Sequence, residues 1–166
     1  MTSKPNWIPT LVLISDYDGD WDKYLAALYQ FFRKDFIESK PLFRGTSVGI
    51  TKHPYSQGKE STFWHLISEG KVEEARTPDF ERCKRIRWSR AIIENHATPF
   101  VQVWETMRGR EKRILLRFIF EKDDYLVVLA EHKGTILLIT AYLVTWQSQK
   151  SRLQQEFETY KADTAL

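Results

Sequence analysis

Three apolar runs, set close together towards the C-terminus, constrain this chain more than any other feature. From Arg113 to Trp146 it reads RILLRFIFEKDDYLVVLAEHKGTILLITAYLVTW. Val, Ile, Leu, Phe and Tyr dominate, which suits strands buried on at least one side. The polar tetrapeptide Glu121-Lys122-Asp123-Asp124 separates the first two runs. Lys133-Gly134 separates the second from the third, and glycine there supplies the positive φ of a two-residue hairpin turn. The expectation is a C-terminal meander within an α+β fold, an antiparallel sheet of four or more strands. An N-terminal helix should pack on one face and a C-terminal helix at the edge.

The rest of the 166-residue chain reads as part of the same single domain. Leu11 to Ile14 is a short strand or buried segment, and Asp20 is placed to cap a helix from Trp21 to about Phe36. In that helix Trp21, Leu25, Leu28, Tyr29, Phe32 and Phe36 recur at three- and four-residue spacing. Pro41 to Pro54 mixes β-formers with two glycines and reads as a strand or irregular ribbon. Thr62 to Ser68 reads as a strand, with Phe63, His65 and Ile67 on one face by alternation. Thr77-Pro78 opens a helix from Asp79 to Asn95, whose phase slips around Ile86-Arg87-Trp88 and predicts a break there. Phe100 to Thr106 supplies a further strand, and Gln147 to about Ala162 a helix with Leu153, Phe157 and Tyr160 as its sizeable apolar positions.

Composition narrows the chemistry. The single cysteine, Cys83, excludes an internal disulfide framework and a cysteine-based zinc site. No apolar run approaches the roughly 18 residues needed to cross a bilayer, and the N-terminus is too weakly apolar for a secretory leader. A cytoplasmic protein with no membrane partner and no cofactor is therefore expected. Asp16-Tyr17-Asp18-Gly19-Asp20 lacks the distal Glu of a calcium loop and reads as a capping turn. Between Lys71 and Arg117 twelve basic side chains face seven acidic ones, a local +5 against a net +3 for the whole chain. An arginine-weighted middle suits a phosphate-bearing ligand, because the planar guanidinium forks onto phosphate oxygens. A solvated basic face is the plainer explanation.

A turn at 121–124 would pair Phe120 with Tyr125, placing Arg117 opposite Val128 and Arg113 opposite His132. A two-residue turn at Lys133-Gly134 would pair His132 with Thr135, Val127 with Thr140, and Tyr125 with Tyr142. One face would then carry Phe118, Tyr125, Val127, Thr140 and Tyr142, and the other Arg113, Leu115, Arg117, Val128 and His132. Arg117 and Thr140 fall on opposite faces in that register, and a one-residue slip would exchange the sides.

Three blocks carry a resemblance. FWHLISEG with His65, Arg85-Ile86-Arg87-Trp88, and Thr140-Ala141-Tyr142 together resemble the phage-associated nucleases of the barnase–EndoU–colicin–RelE class, over about residues 62–145. The resemblance implies helices ahead of an antiparallel sheet and RNA cleavage without a metal. Such cleavage needs a base for the 2′-hydroxyl, an acid for the leaving 5′ oxygen, and cations for the charge developing on phosphate. The catalytic candidates are His65 as acid or base, Arg113 and Arg117 as a phosphate clamp, and Thr140 and Tyr142 as hydrogen-bond donors. Arg85, Arg87, Trp88, Lys112, His132 and Lys133 are candidates for binding nucleic acid, and Trp64, Trp88 or Trp104 for stacking an unpaired base. The expected function is a toxin-like, metal-independent endoribonuclease, with RNA as partner and a neutralising protein as a further one. Two competitors stand beside it: a non-catalytic nucleic-acid- or protein-binding module on the same scaffold, and a lipocalin-like ligand-binding barrel, for which few strands are visible.

Overall fold

The computed structural model describes residues 3–165. Asp20 caps α1 (Trp21–Arg33), its side chain accepting from the Lys23 N–H at 3.1 Å. The helix buries Tyr24, Leu25, Leu28 and Phe32 and continues as a π turn, Lys34–Glu38, that buries Phe36. Replacing Asp20 with alanine is expected to cost about 1 kcal/mol in a denaturant titration, the usual loss for an N-cap oxygen. Residues 11–13 are irregular rather than a strand, and a 3₁₀ turn follows at Ile14–Tyr17. The expected ribbon is two short strands, β1 (Leu42–Phe43) and β2 (Thr46–Gly49).

The stretch read as a strand at Thr62–Ser68 is a helix, α2 (Ser61–Ile67). Phe63, Leu66 and Ile67 are buried there at three- and four-residue spacing. Four apolar residues in a seven-residue stretch fit both periods, so alternation alone could not separate them. The correction moves His65 from an apolar sheet face to a helix flank, where its side chain is 31% exposed.

A small two-stranded sheet follows, β3 (Ser68–Glu69) with β4 (Thr77–Pro78). Thr77 and Pro78 thus lie in a strand, and Asp79 caps α3 (Phe80–Lys84) by accepting from the Glu81 and Arg82 N–H groups. The break at Arg85–Arg87 is present, and α4 (Trp88–Glu94) resumes beyond it. Burial pushes the Cys83 thiol up to about 12, which makes it an inert core side chain.

The main sheet adds β5 (Val101–Arg108), β6 (Glu111–Phe120), β7 (Asp123–His132) and β8 (Thr135–Leu143). Its order is β1-β2-β8-β7-β6-β5. The meander is antiparallel throughout, but β2 joins β8 in parallel through Val48 and Ile136 and through Gly49 and Leu137. The sheet is therefore mixed, and with β1 and β5 as its two ends it does not close into a barrel.

Two register details differ from the expectation. The β6–β7 turn is Glu121-Lys122, which pairs Phe120 with Asp123 and Arg117 with Leu126. That shift of two residues leaves each side chain on its expected face but draws Asp124 into the strand. The Lys133-Gly134 turn forms as expected, with φ of 51° and 82°. Further along β8 a bulge intervenes: Leu129 pairs with Leu138, yet Val128 pairs with Thr140, leaving Ile139 unpaired. Beyond it Thr140 and Tyr142 turn to the side of Val128 and Leu126, which is also the side of Arg117. The expected separation of Arg117 from Thr140 is overturned.

One face carries Phe118, Tyr125, Val127, Leu129 and Leu138 into a core shared with Trp88 and Ile92 of α4 and Phe63 and Leu66 of α2. Helix α1 joins that core through Phe32 against Phe63 and Tyr24 stacked on Phe80. The opposite face carries Trp104, Leu115 and Leu126 against Leu153, Phe157 and Tyr160 of α5 (Gln147–Thr164). No described helix is long and apolar enough to cross a membrane.

Candidate active site

Strand β2 covers only Ile136 and Leu137 of β8, so the second half of that strand has no neighbouring strand on this side among the described residues. The end of α2 and the start of α3 lie there instead, protecting an edge that would otherwise be open for pairing. Arg82 sits at the junction. Asp79 fixes the first turn of α3, and Arg82 follows it by three residues, so its side chain leaves the helix towards β8. Its Nη1 donates to the His65 carbonyl at 2.9 Å and to Thr140 Oγ1 at 3.4 Å. Its guanidinium lies 5.2 Å from the centre of the Tyr142 ring. Thr140 Oγ1 in turn donates to the His65 carbonyl at 3.3 Å.

The contacts to Thr140 are longer than optimal hydrogen bonds, so they yield to a better acceptor at little cost. Arg82 Nε is buried with no hydrogen-bond partner, the Asp79 carboxylate standing 3.7 Å away. The Tyr142 hydroxyl accepts from Gln149 Nε2 at 3.2 Å, which leaves its own proton free to donate.

His65 joins this cluster to a second one. Its carbonyl belongs to the Arg82 group, while its ring Nε2 lies 3.1 Å from Glu73 Oε1. Ser61 Oγ donates to the same carboxylate oxygen at 3.4 Å. A carboxylate on one ring nitrogen orients the imidazole and leaves the other nitrogen to exchange a proton. Glu73 also lines a pocket of about 390 Å³ whose walls include Trp21, Tyr55 and Trp64. Arg76 borders that pocket, but its donors go to Ser68 and to the Gly70 carbonyl.

Of the five catalytic candidates, Thr140 and Tyr142 meet Arg82 through their side chains, and His65 meets it through its backbone carbonyl. Arg117 does not. It is 4% exposed, and its Nε and Nη2 are held by Asp124 at 2.8 and 2.7 Å beneath α5. Arg113 lies on the same face as Arg117, with Nη2 2.7 Å from Glu111.

The candidates for binding nucleic acid scatter. Trp88 is fully buried, with its indole N–H on the Pro9 carbonyl, and Trp104 is buried under α5, so neither offers a face to a base. Arg85 is buried and held by Glu81 at 2.7 Å. Arg87 covers the Phe31 ring, and Lys112 lies between Glu105 and Glu131. His132 and Lys133 are exposed at the β7–β8 turn. Trp64 is half-buried and borders a pocket, whereas Trp104, although it lines a second one, is only 1% exposed.

Two residues of the site escaped the sequence reading. Arg82 is one of the twelve basic side chains between Lys71 and Arg117, and nothing in its local sequence sets it apart from the others. Glu73 lies in a 3₁₀ turn, Glu73–Ala75, and nothing local marks it as the partner of His65. No three His, Cys, Asp or Glu side chains among the described residues gather as a metal-ligand set. No family model, no curated protein and no solved structure matches the chain.

Proposed function

We propose that this protein is a metal-independent endoribonuclease whose active site is the junction of α2, α3 and β8. The observation that carries the reading is the meeting of the Arg82 guanidinium and the Thr140 hydroxyl at the His65 backbone carbonyl, beside the Tyr142 ring, while the His65 imidazole is held by Glu73. The reaction is attack of the 2′ oxygen on phosphorus: the O2′–P bond forms, the P–O5′ bond breaks, and a 2′,3′-cyclic phosphate results. His65 takes the 2′ proton while Glu73 holds the imidazole in place. Arg82 and Thr140 turn their long mutual contacts onto the phosphoryl oxygens, where negative charge builds. Tyr142 donates to the departing O5′. Trp64 and Tyr55 offer the rings on which a neighbouring base stacks. The resemblance of the His65, Arg85–Trp88 and Thr140–Tyr142 blocks to the phage-associated nucleases agrees with this reading, as does a toxin role restrained by a neutralising protein.

Purified protein incubated with total RNA in excess EDTA is expected to fragment it. His65→Ala is expected to slow cleavage by about 10²–10⁴-fold, the range for losing a general acid–base group. Intact RNA with the wild type would overturn the proposal. A second reading, a binding module without catalysis, is favoured by the sealing of Arg117 beneath α5. Salt-sensitive RNA binding with no cleavage would establish it instead.

A further inference from the structure

On the sheet face covered by α5, the face that Thr140 and Tyr142 share, a cleft of about 180 Å³ opens between the end of the β5–β6 hairpin and α5. Arg108, Arg113 and Arg152 line it, together with Thr106, Tyr142 and a single carboxylate, Glu156. Arg108 and Arg152 are exposed, and no carboxylate lies within 4.0 Å of either among the described residues. Arg113 engages Glu111 through Nη2, yet its Nε is buried with no partner. The Glu156 carboxylate already accepts from the Trp104 indole N–H at 3.3 Å. Leu115, Leu126 and Leu153 form the floor, and low-dielectric walls concentrate the field of the cations above them. Three guanidinium groups sharing a small cleft with one carboxylate repel one another until an anion joins them. Tyr142 connects this cleft to the proposed active site, since one ring lines the cleft and also carries the Arg82 guanidinium.

We infer that this cleft binds a backbone phosphate of the RNA strand that enters the active site, at a nucleotide removed from the one cleaved. The inference rests on the ribonuclease reading for the identity of its ligand. Arginine forks match phosphate oxygens in pairs, and Arg108 and Arg152 approach from opposite walls, one from β5 and one from α5. The substrate is accordingly a single strand of several nucleotides, and a dinucleotide reaches the active site without using the cleft.

The test is a salt titration of the binding of a fluorescein-labelled, 2′-O-methylated single strand, which keeps its phosphates but lacks the attacking hydroxyl. Arg108→Gln/Arg152→Gln is expected to weaken binding and to make the slope of log K against log salt shallower by about 0.7, the loss of one phosphate contact on a single strand. The control Arg33→Gln/Lys34→Gln removes the same charge from exposed positions on the α1 side and should leave the slope unchanged. His65→Ala should bind with the wild-type slope. An unchanged slope in the Arg108/Arg152 variant overturns the cleft, and cleavage of a dinucleotide in EDTA would then still stand for the active site. Displacement of the strand by equimolar inorganic phosphate also overturns the inference, because the cleft would then serve a free anion.

Discussion

Truncating Arg117 to alanine is expected to destabilise the protein by about 3–5 kcal/mol, measured by denaturant unfolding. The side chain is 4% exposed and its partner Asp124 is 5% exposed. Two parallel hydrogen bonds of 2.8 and 2.7 Å join them, and Gln154 of α5 accepts a further one from Nη1 at 3.3 Å. Removing one partner leaves the other charged, buried and unpaired, and that is the costly state. Asp124→Asn should act in the same direction. The joint change Arg117→Met/Asp124→Leu should recover most of the loss, because an apolar pair of similar volume needs no compensation. A loss below about 1 kcal/mol for Arg117→Ala would show an exposed pair instead. This outcome bears on function as well. A guanidinium so held cannot leave its carboxylate to clamp a phosphate, so in the proposed reaction the charge stabilisation expected of Arg117 falls to Arg82.

Replacing Arg82 with lysine is expected to lower kcat for RNA cleavage in EDTA by about 10²–10³-fold, the loss that follows removal of one donor aimed at a developing oxyanion. Lysine keeps the charge but loses the fork, the contact across the Tyr142 ring, and the ability to reach the His65 carbonyl and Thr140 together. Arg82 also ties α3 to the end of α2, so a purely structural role must be separated from a catalytic one. The melting temperature and KM provide that separation. A fall in kcat with KM nearly unchanged marks an interaction made in the transition state. A lower melting temperature with kcat retained would reduce Arg82 to a tie between helices.

Much of the architecture was legible in the amino-acid order because the relevant signals are local. The three strands of the meander, the Lys133-Gly134 turn, the Asp20 cap, the interruption after α3 and the C-terminal helix each depend on a few consecutive residues. The naming of His65, Thr140 and Tyr142 as candidates rested instead on the resemblance carried by three short blocks. What stayed hidden depends on partners distant in sequence. Four apolar residues within 61–67 fit a strand as well as a helix until the core contacts of Phe63, Leu66 and Ile67 decide. The bulge at Ile139 leaves no mark in the apolar pattern, yet it sets which side Thr140 faces.

The amino-acid order by itself determined which segments form strands and helices, where most of them turn, and that cations concentrate in the middle of the chain. Only the tertiary structure decided which cations are free. A guanidinium has the same charge in any sequence, but Asp124 neutralises Arg117 seven residues away across a turn, while Arg82 meets Thr140 of β8. Arg82 and Thr140 are neighbours in the fold and 58 residues apart in sequence. Which cation retains donors for a ligand therefore depends on three-dimensional neighbours and on solvent exclusion, and neither is a property of a residue's place along the chain.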